Sequence, residues 1–342
     1  MTISVIMPVY NVEKYIYKSI KSLTNQSFKD FELILVNDET KDRSIDIALD
    51  ILINSDINYK IINQPNSGVS VARNNGINNS SGEYIYFLDS DDYVEDDFFE
   101  KINKKLKETD ADIIYCDYRH VDEDGKILIE SSTNVIEQVT SGKEMALKLL
   151  KDEFSIWVGS GIYKSEIIKK NNLRFDNNRK YAEDITFISK ALLYSDKIVG
   201  INEKLAYYLR REGAVTKSVS EKHLDCYYSF KDLLEFVEKN FNEEKEIIKT
   251  LKEYKIPYSI CHIFSMFMRD ENYKDKLLKF LSKDEIKTSL NEYKMLSFNK
   301  KYLRYYIQCK LIRIYQSTRL LYTTRYNWGG YNGQVKKQWI IN

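Results

Sequence analysis

Apolar positions in the first third of the chain come in short, regularly spaced bursts. Residues 3–9 form a near-continuous apolar run, the pattern of a strand buried on both faces. Residues 13–23 place Ile16, Ile20 and Leu23 on one face at helical spacing. Residues 31–36 repeat the strand pattern and end at Asn37-Asp38. Residues 44–53 predict a helix with Asp42 as its N-cap. A short strand over 59–62, a helix over 69–78 after Asn66-Ser67-Gly68, and a strand over 83–88 follow. That last strand runs into Asp89-Ser90-Asp91-Asp92. A helix over 96–106 and a strand over 112–118 complete the series. Strands alternating with helices predict an α/β fold built on a mostly parallel, doubly wound sheet with right-handed crossovers.

Beyond Val121 the pattern loosens. Asp124-Gly125 between Val121 and residues 127–129 predicts a hairpin. Residues 142–150 and 185–194 have helical spacing, and 198–209 read as a strand with a turn. From about Ser220 to Thr324 nearly everything is helical: 227–241, 244–254, 258–268, 275–281 and 301–321. A boundary near residues 215–221 divides an α/β domain, 1–216, from a helical C-terminal domain, 217–342. The 342 residues agree with two domains of ~150 each.

Charge changes the picture in one respect. The 52 basic and 51 acidic residues give a formal net charge of +1 and no reason to expect a nucleic-acid partner. After Glu292, however, there is no Asp or Glu, while residues 293–342 carry ten Lys and Arg. The body before it holds 42 basic and 51 acidic residues, a formal −9. Cys116, Cys226, Cys261 and Cys309 are far apart, which suits reduced thiols in a cytoplasmic protein better than a disulfide framework or a zinc site. The N-terminus has no basic segment ahead of its apolar run, so no signal peptide is expected. No run approaches 18 apolar residues, so no spanning helix is expected either.

In an open parallel sheet, ligands lie beyond the carboxyl ends of the strands. The first strand delivers Pro8, Tyr10 and Asn11 to that edge, the second Asp38, the fourth Asp89, Ser90 and Asp91. Asp89 and Asp91, two apart in an extended turn, can present both carboxylates to one side. Like charges that close call for a proton or a cation. A hard ion such as Mg2+ or Mn2+ takes one or two carboxylates plus phosphate oxygens, which points to a nucleoside diphosphate. The same acidic string also suits a capped turn.

Five strings now stand in order: Ser4-Val5-Ile6-Met7-Pro8-Val9-Tyr10-Asn11, Asn37-Asp38-Glu39-Thr40-Lys41-Asp42-Arg43-Ser44, Gly68-Val69-Ser70-Val71-Ala72-Arg73-Asn74, Gly82-Glu83-Tyr84-Ile85-Tyr86-Phe87-Leu88-Asp89-Ser90-Asp91-Asp92, and Tyr181-Ala182-Glu183-Asp184. Together they resemble family 2 glycosyltransferases of the GT-A fold, of the kind that assembles bacterial capsule, exopolysaccharide or glycoprotein glycans. The resemblance covers residues 1 to about 216 and implies nucleotide-sugar binding in about 1–120 and the acceptor side with the base in about 121–216. It implies that Asp38 receives the N–H of the nucleotide base, most often uracil, with Arg73 framing that base. Asp89 would lie near the ribose and diphosphate, Asp91 would ligate the metal, and Asp184 would be the general base of an inverting transfer. Asp38 also suits the close of a strand-to-helix turn, and Asp184 a helix N-cap.

Two departures stand out. Relatives often carry Gly where this chain has Glu39. The stretch Trp157-Val158-Gly159-Ser160-Gly161-Ile162-Tyr163-Lys164 has its Trp displaced from the usual place, so an acceptor-wall role does not carry over simply. Arg210 or Arg211, in Tyr207-Tyr208-Leu209-Arg210-Arg211, is placed to reach the diphosphate, Arg210 before Arg211; a solvated edge charge is the other use of either. His120, His223 and His262 are isolated.

In the tail, Leu303, Ile307, Leu311, Ile314 and Leu321 share one helical stripe. It suits a packed helix whose basic side meets the acidic body or a second copy of the chain. It equally suits peripheral contact with the inner face of an anionic membrane, where a lipid-linked acceptor would lie. The reading is a metal-dependent hexosyltransferase with a UDP-linked donor and a growing glycan acceptor, on a lipid carrier or a glycoprotein. A non-catalytic scaffold keeps the fold but has no use for Asp38, Asp91 and Asp184. A sugar nucleotidyltransferase carries a Gly-rich basic loop after its first strand, where this chain has Pro8-Val9-Tyr10-Asn11-Val12-Glu13.

Overall fold

A computed structural model describes residues 2–130, 134–211, 219–297 and 300–318, the last segment with the side chains of 302–314. Most of the expected boundary at 215–221 lies outside these residues. So do Arg319, Leu321, Arg325, Lys336 and Lys337 of the tail.

β1 (Ile3–Val9) is buried along its whole length. β2 (Phe31–Asn37) and β4 (Tyr84–Phe87) flank it in parallel register, with Ile3 opposite both Phe31 and Tyr84. Covered on both faces, it has no reason to alternate apolar with polar residues. β3 (Asn58–Asn63) continues the parallel set beside β2. The helices α1 (Ile16–Thr24), α2 (Ser44–Leu52) and α3 (Val69–Asn79) connect these strands. Gly76 of α3 packs on β1, where a Cβ would meet Ile6 Cγ2 at 2.2 Å.

The full strand order is β3-β2-β1-β4-β8-β6-β9-β5, with β7 (Ile127–Glu130) on β6 as the expected hairpin. β5 (Tyr93–Val94) and α4 (Phe98–Thr109) follow β4 in the chain. β6 (Ile113–Val121) and β9 (Ile198–Leu209) are parallel. Between β4 and β6 lies β8 (Gly161–Lys164), antiparallel to both. The doubly wound parallel half is therefore present, and β8, together with β5 antiparallel on β9 and β7 antiparallel on β6, makes the sheet as a whole mixed. The winding reverses between β1 and β4, so the crevice for a ligand opens at their carboxyl ends.

α5 (Gly142–Leu150), α6 (Ser165–Lys170) and α7 (Glu183–Leu193) precede β9. The helical part comprises α8 (Asp225–Asn240), α9 (Lys245–Thr250), α10 (Ile256–Phe267), α11 (Lys274–Leu281), α12 (Asp284–Glu292) and α13 (Lys300–Thr318). A π turn over Leu251–Lys255 joins α9 to α10. Pro257 cannot donate to the carbonyl of Glu253, and Lys294 N donates to that carbonyl instead at 2.8 Å. One apolar core runs without a break through the sheet and these helices.

α13 differs from expectation. The stripe Leu303, Ile307, Leu311 and Ile314 is 40–56 % exposed, while Tyr302, Gln308, Cys309 and Ile312 make the buried face. Gln308 Nε2 donates to Cys261 O of α10 at 3.0 Å and to Ser265 Oγ at 2.7 Å. The two faces of α13 are both partly apolar, and the one with a polar anchor packs inward.

Glu32 fastens the amino ends of the central strands. Its buried carboxylate accepts from Ser4 Oγ at 2.6 Å and from Ser81 N and Oγ at 2.7 Å, and pairs with Lys60 at 3.0 Å. Burial alone would raise this carboxyl; the donors outweigh burial and bring it down to about 2 from an ordinary 4.5. A folded value below the unfolded one stabilises above pH 4.5 and is lost as pH falls toward 2, about 3 kcal/mol in all. Urea unfolding between pH 5 and 2.5 is expected to show that loss in the native chain and much less of it in Glu32→Gln. Parallel profiles would remove Glu32 from the account.

Candidate active site

Asp38 closes β2 and is 3 % exposed. Its carboxylate accepts from Gln64 Nε2 at 2.8 Å, Ser67 N at 2.8 Å and Gly68 N at 2.9 Å. It thereby fixes the loop that enters α3. Gly68, the residue ahead of α3, has φ +91, a region open to glycine and costly to other residues. Glu39 follows Asp38 with φ +59, a region that glycine, the residue the resemblance implies here, enters without strain. Its carboxylate accepts from Asn66 N at 3.2 Å and from Lys41 at 2.8 Å, so the turn is held without a glycine. Pro8 lies buried in β1, and Tyr10 stands exposed just past its end.

Beyond β4, Asp89 pairs with Arg73 Nη2 of α3 at 2.7 Å. Arg73 is 4 % exposed and its guanidinium lies 5.0 Å from the Phe175 ring centre. Among the described residues, its Nε and Nη1 are buried without a hydrogen-bond partner. Burial works against its charge, but Asp89, Glu183 and Asp184 outweigh burial and raise its pKa. The structure thus puts Arg73 among the carboxylates; no hydrogen bond or ion pair joins it to Asp38 among the described contacts.

Ser90 is buried in the turn. Asp91 meets Arg211 Nε at 3.1 Å. Burial, then the neighbouring Asp89, pushes its carboxyl up to about 6, with Arg211 and Arg73 pulling the other way. Asp92 is deeper. It accepts from Leu209 N at 2.7 Å, and its carbonyl accepts from Ser19 Oγ. The Asp92 carboxylate thus ties the string to β9 and does not cap the turn that follows it, while the Asp89 and Asp91 side chains meet Arg73 and Arg211.

Glu183 and Asp184 open α7, directly after Ala182 in the left-handed region at φ 61. Asp184 Oδ1 accepts from Ile185 N at 2.7 Å. Burial raises both acids, Glu183 to about 7 with Asp184 as its next cause, while Arg73 pulls each back. Elements far apart in sequence thus bring Asp89, Asp91, Glu183 and Asp184 together around Arg73.

Arg210 does not join them. Its Nε lies 3.1 Å from His120 Nδ1, and its guanidinium 5.8 Å from the Tyr208 ring centre. Arg211, its neighbour and the other half of the sequence choice, makes the contact with Asp91. Successive side chains beyond a strand point to opposite sides, and only the register of β9 decides which one faces the site. An aromatic group was also invisible as a group in the sequence. Trp157 lies 5.6 Å from Tyr118 and 5.2 Å from Tyr208, and His120 packs on both tyrosines at 5.3 and 5.2 Å. His120 is pushed down to about 4 by burial and by Arg210, so it is neutral and can accept from that arginine.

Among the described residues, no three His, Cys, Asp or Glu stand together as a self-sufficient metal site. Asp89 and Asp91 supply two hard oxygen donors whose charge is only partly offset. A divalent ion fits there when phosphate oxygens complete its shell.

Residues 4–171 match the family model described as glycosyl transferase family 2. The chain is 34% identical over 236 residues to the glycosyltransferase EpsJ of Bacillus subtilis strain 168, covering 67% of this chain and 68% of that one. It is 34% identical over 234 residues to the glycosyltransferase GlyA of Streptococcus pneumoniae serotype 4, covering 64% of this chain and 32% of that one. Its fold is similar to that of S. aureus TarS 1–349 in complex with UDP-GlcNAc. The TM-score is 0.71 at 21% identity, over 93% of this chain and 91% of that one.

Replacing Arg73 with Ala leaves three carboxyls of the cluster without their shared counter-charge. Removing one partner of a buried pair costs about 3 kcal/mol or more. The variant is expected to lose that much in urea unfolding at pH 7.5 and to regain part of it at pH 5.5, where the raised acids take up protons. A loss independent of pH would show that Arg73 acts through packing on Phe175 alone.

Proposed function

The chain belongs to glycosyltransferase family 2, and from that premise we propose that it transfers a sugar, with inversion, from a UDP-linked donor to a hydroxyl of a growing glycan. The observation that carries this reading is the meeting of Asp89, Asp91 and Asp184 at the switch-point edge, with Asp38 on the same edge. Asp184 takes the proton of the acceptor hydroxyl. That oxygen bonds to the anomeric carbon on the side opposite the diphosphate. The bond from this carbon to the diphosphate oxygen breaks, and its electron pair leaves with the nucleotide.

A base for this step works best with a pKa near the operating pH. Burial, with Asp89 adding to it, supplies the upward push on Asp184, while the Ile185 N–H and Arg73 pull it back and keep it ionisable. Arg73 also fixes Asp89, and Asp38 fixes the loop against which the nucleotide base would lie. Asp91, with Asp89, would hold Mn2+ or Mg2+, which when bound neutralises charge on the departing diphosphate. Support for UDP as the nucleotide comes from the TarS complex with UDP-GlcNAc. The acceptor is a glycan on a lipid carrier or a glycoprotein. The exposed α13 stripe and the basic residues around it suit an acceptor presented at an anionic surface. No helix of the described residues is long and apolar enough to cross a membrane.

A thermal-shift panel of UDP, GDP, TDP and their sugar conjugates, with and without Mn2+, is expected to show metal-dependent stabilisation by UDP species. Asp91→Asn is expected to abolish the metal dependence; a variant that keeps it would move the metal elsewhere. Asp184→Asn is expected to keep the donor-induced shift and to lose turnover by ~100-fold or more. Near-normal turnover in that variant would reassign the base.

A further inference from the structure

The short segment leading into Glu183 and Asp184 is held at both ends by helices from different parts of the fold. At its start, Asn74 of α3, next to Arg73, donates through Nδ2 to Phe175 O at 2.8 Å and accepts from Phe175 N at 2.9 Å. At its end, α8 takes over. Arg179 Nε and Nη2 reach Asp232 Oδ2 at 2.9 and 2.8 Å, with the guanidinium 5.3 Å from the Tyr228 ring centre. Lys180 N donates to Asp225 Oδ2 at 2.8 Å. Ser229 Oγ donates to Tyr181 O at 2.8 Å, and the Tyr181 ring lies 4.3 Å from that of His223. Asp225, Tyr228, Ser229 and Asp232 are spaced i, i+3, i+4 and i+7, one face of one helix.

The next residue is Ala182 in the left-handed region. An L-residue other than Gly, Asn or Asp there costs ~1–2 kcal/mol. Such a conformation persists only when its surroundings over-determine it. The contacts that do so come from α8, just upstream, and the strained residue sets the direction in which α7 starts. The same segment reaches the donor side. Lys180 Nζ lies 2.7 Å from where a Cβ on Gly68 would be, and Gly68 N is bonded to Asp38.

We infer that α8 sets the position of the catalytic acid pair through residues 179–181, with Arg179 and Asp232 as positioning residues. The inference rests on the reading of Asp184 as the base. The helical part is then a working component of the site: a shift of α8 moves Asp184 relative to Asp89 and Asp91, while the bonds that Asp38 accepts from Gln64, Ser67 and Gly68 lie within the sheet domain.

The test uses the full chain with Asp232→Asn and Arg179→Met, and has two arms. In hydrogen exchange, amides from 181 to 186 are expected to exchange faster in both variants, with β1, β2 and α3 unchanged. Unchanged exchange at 181–186 overturns the inference, and this arm needs no substrate. In the second arm, UDP release from UDP-GlcNAc with Mn2+ is followed, water standing in for the acceptor. The kcat is expected to fall ~10- to 100-fold with donor KM unchanged, since misplacement by about 1 Å costs rate on that scale. Asp232→Glu is expected to restore it, and the double variant to be no worse than either single one. A fall in kcat that tracks a fall in melting temperature, or no fall at all, also overturns the inference. Asp184→Asn run alongside separates the cases: if it stays active the base is misassigned, whatever the exchange arm shows about α8.

Discussion

One buried guanidinium among four carboxylates is the constraint on which the site depends. Asp89, Asp91, Glu183 and Asp184 come to one sheet edge, partly withdrawn from water, and Arg73 faces three of them. Uncompensated, such a group would hold its charges only at the cost of several kcal/mol per buried ion. Arg73 meets that cost from inside the protein, and Arg211 meets part of it at Asp91. The balance is incomplete, since the carboxyls of Asp91 and Glu183 still sit well above their ordinary range. An edge left short of positive charge is suited to a cation, and one left with raised acids is suited to accepting a proton. Both follow from the same shortfall.

The topology explains why these groups can meet at all. β1 and β4 end side by side where the winding reverses, so Pro8, Tyr10 and Asp89 share a crevice. β8 then enters antiparallel and reverses the chain into α6. The route back crosses α3 at Asn74 before α7 begins, and this detour places the start of α7 over the carboxyl edge. α7 leads into β9, which is parallel to β6, so it keeps the direction of an ordinary crossover helix despite the reversal at β8. Acidic residues in the first turn of a helix are also where the helix dipole favours them.

The parts that were legible in the sequence are those whose pattern is local. β1, β2 and β4 announce themselves because full burial removes polar positions from them. Asp38, Asp89 and Asp91 follow because strand ends deliver them. β8 was not legible, because four residues beginning with Gly161 carry too little periodicity to separate a strand from a loop. Arg211 was not separable from Arg210, because the choice depends on strand parity and β9 carries an irregularity at the register of Cys116 and Asp117 with β6. On α13, the apolar stripe was read correctly as a stripe. Which face packs inward was decided by Gln308 and Tyr302, whose partners lie on other elements.

Backbone strain gives the same lesson from the opposite direction. Three non-glycine residues with positive φ border the site: Asn11, Glu39 and Ala182. Asparagine tolerates that region, glutamate and alanine do not. Each is latched by a neighbour: Asn11 N to Thr40 Oγ1 at 2.8 Å, the Glu39 carboxylate to Asn66 N, and Ala182 by the hold of α8 on the residue before it. A strained turn kept by distant partners can be neither read from its own residues nor maintained without those partners. The donor side is latched within the sheet domain, through Asp38, Thr40 and Asn66. The segment ahead of Glu183 and Asp184 is held by α3 at Phe175 and by α8 at residues 179–181. With Asp184 as the proposed base, α8 is the support that the acid pair has and the Asp38 carboxylate, bonded to Gln64, Ser67 and Gly68, does not use.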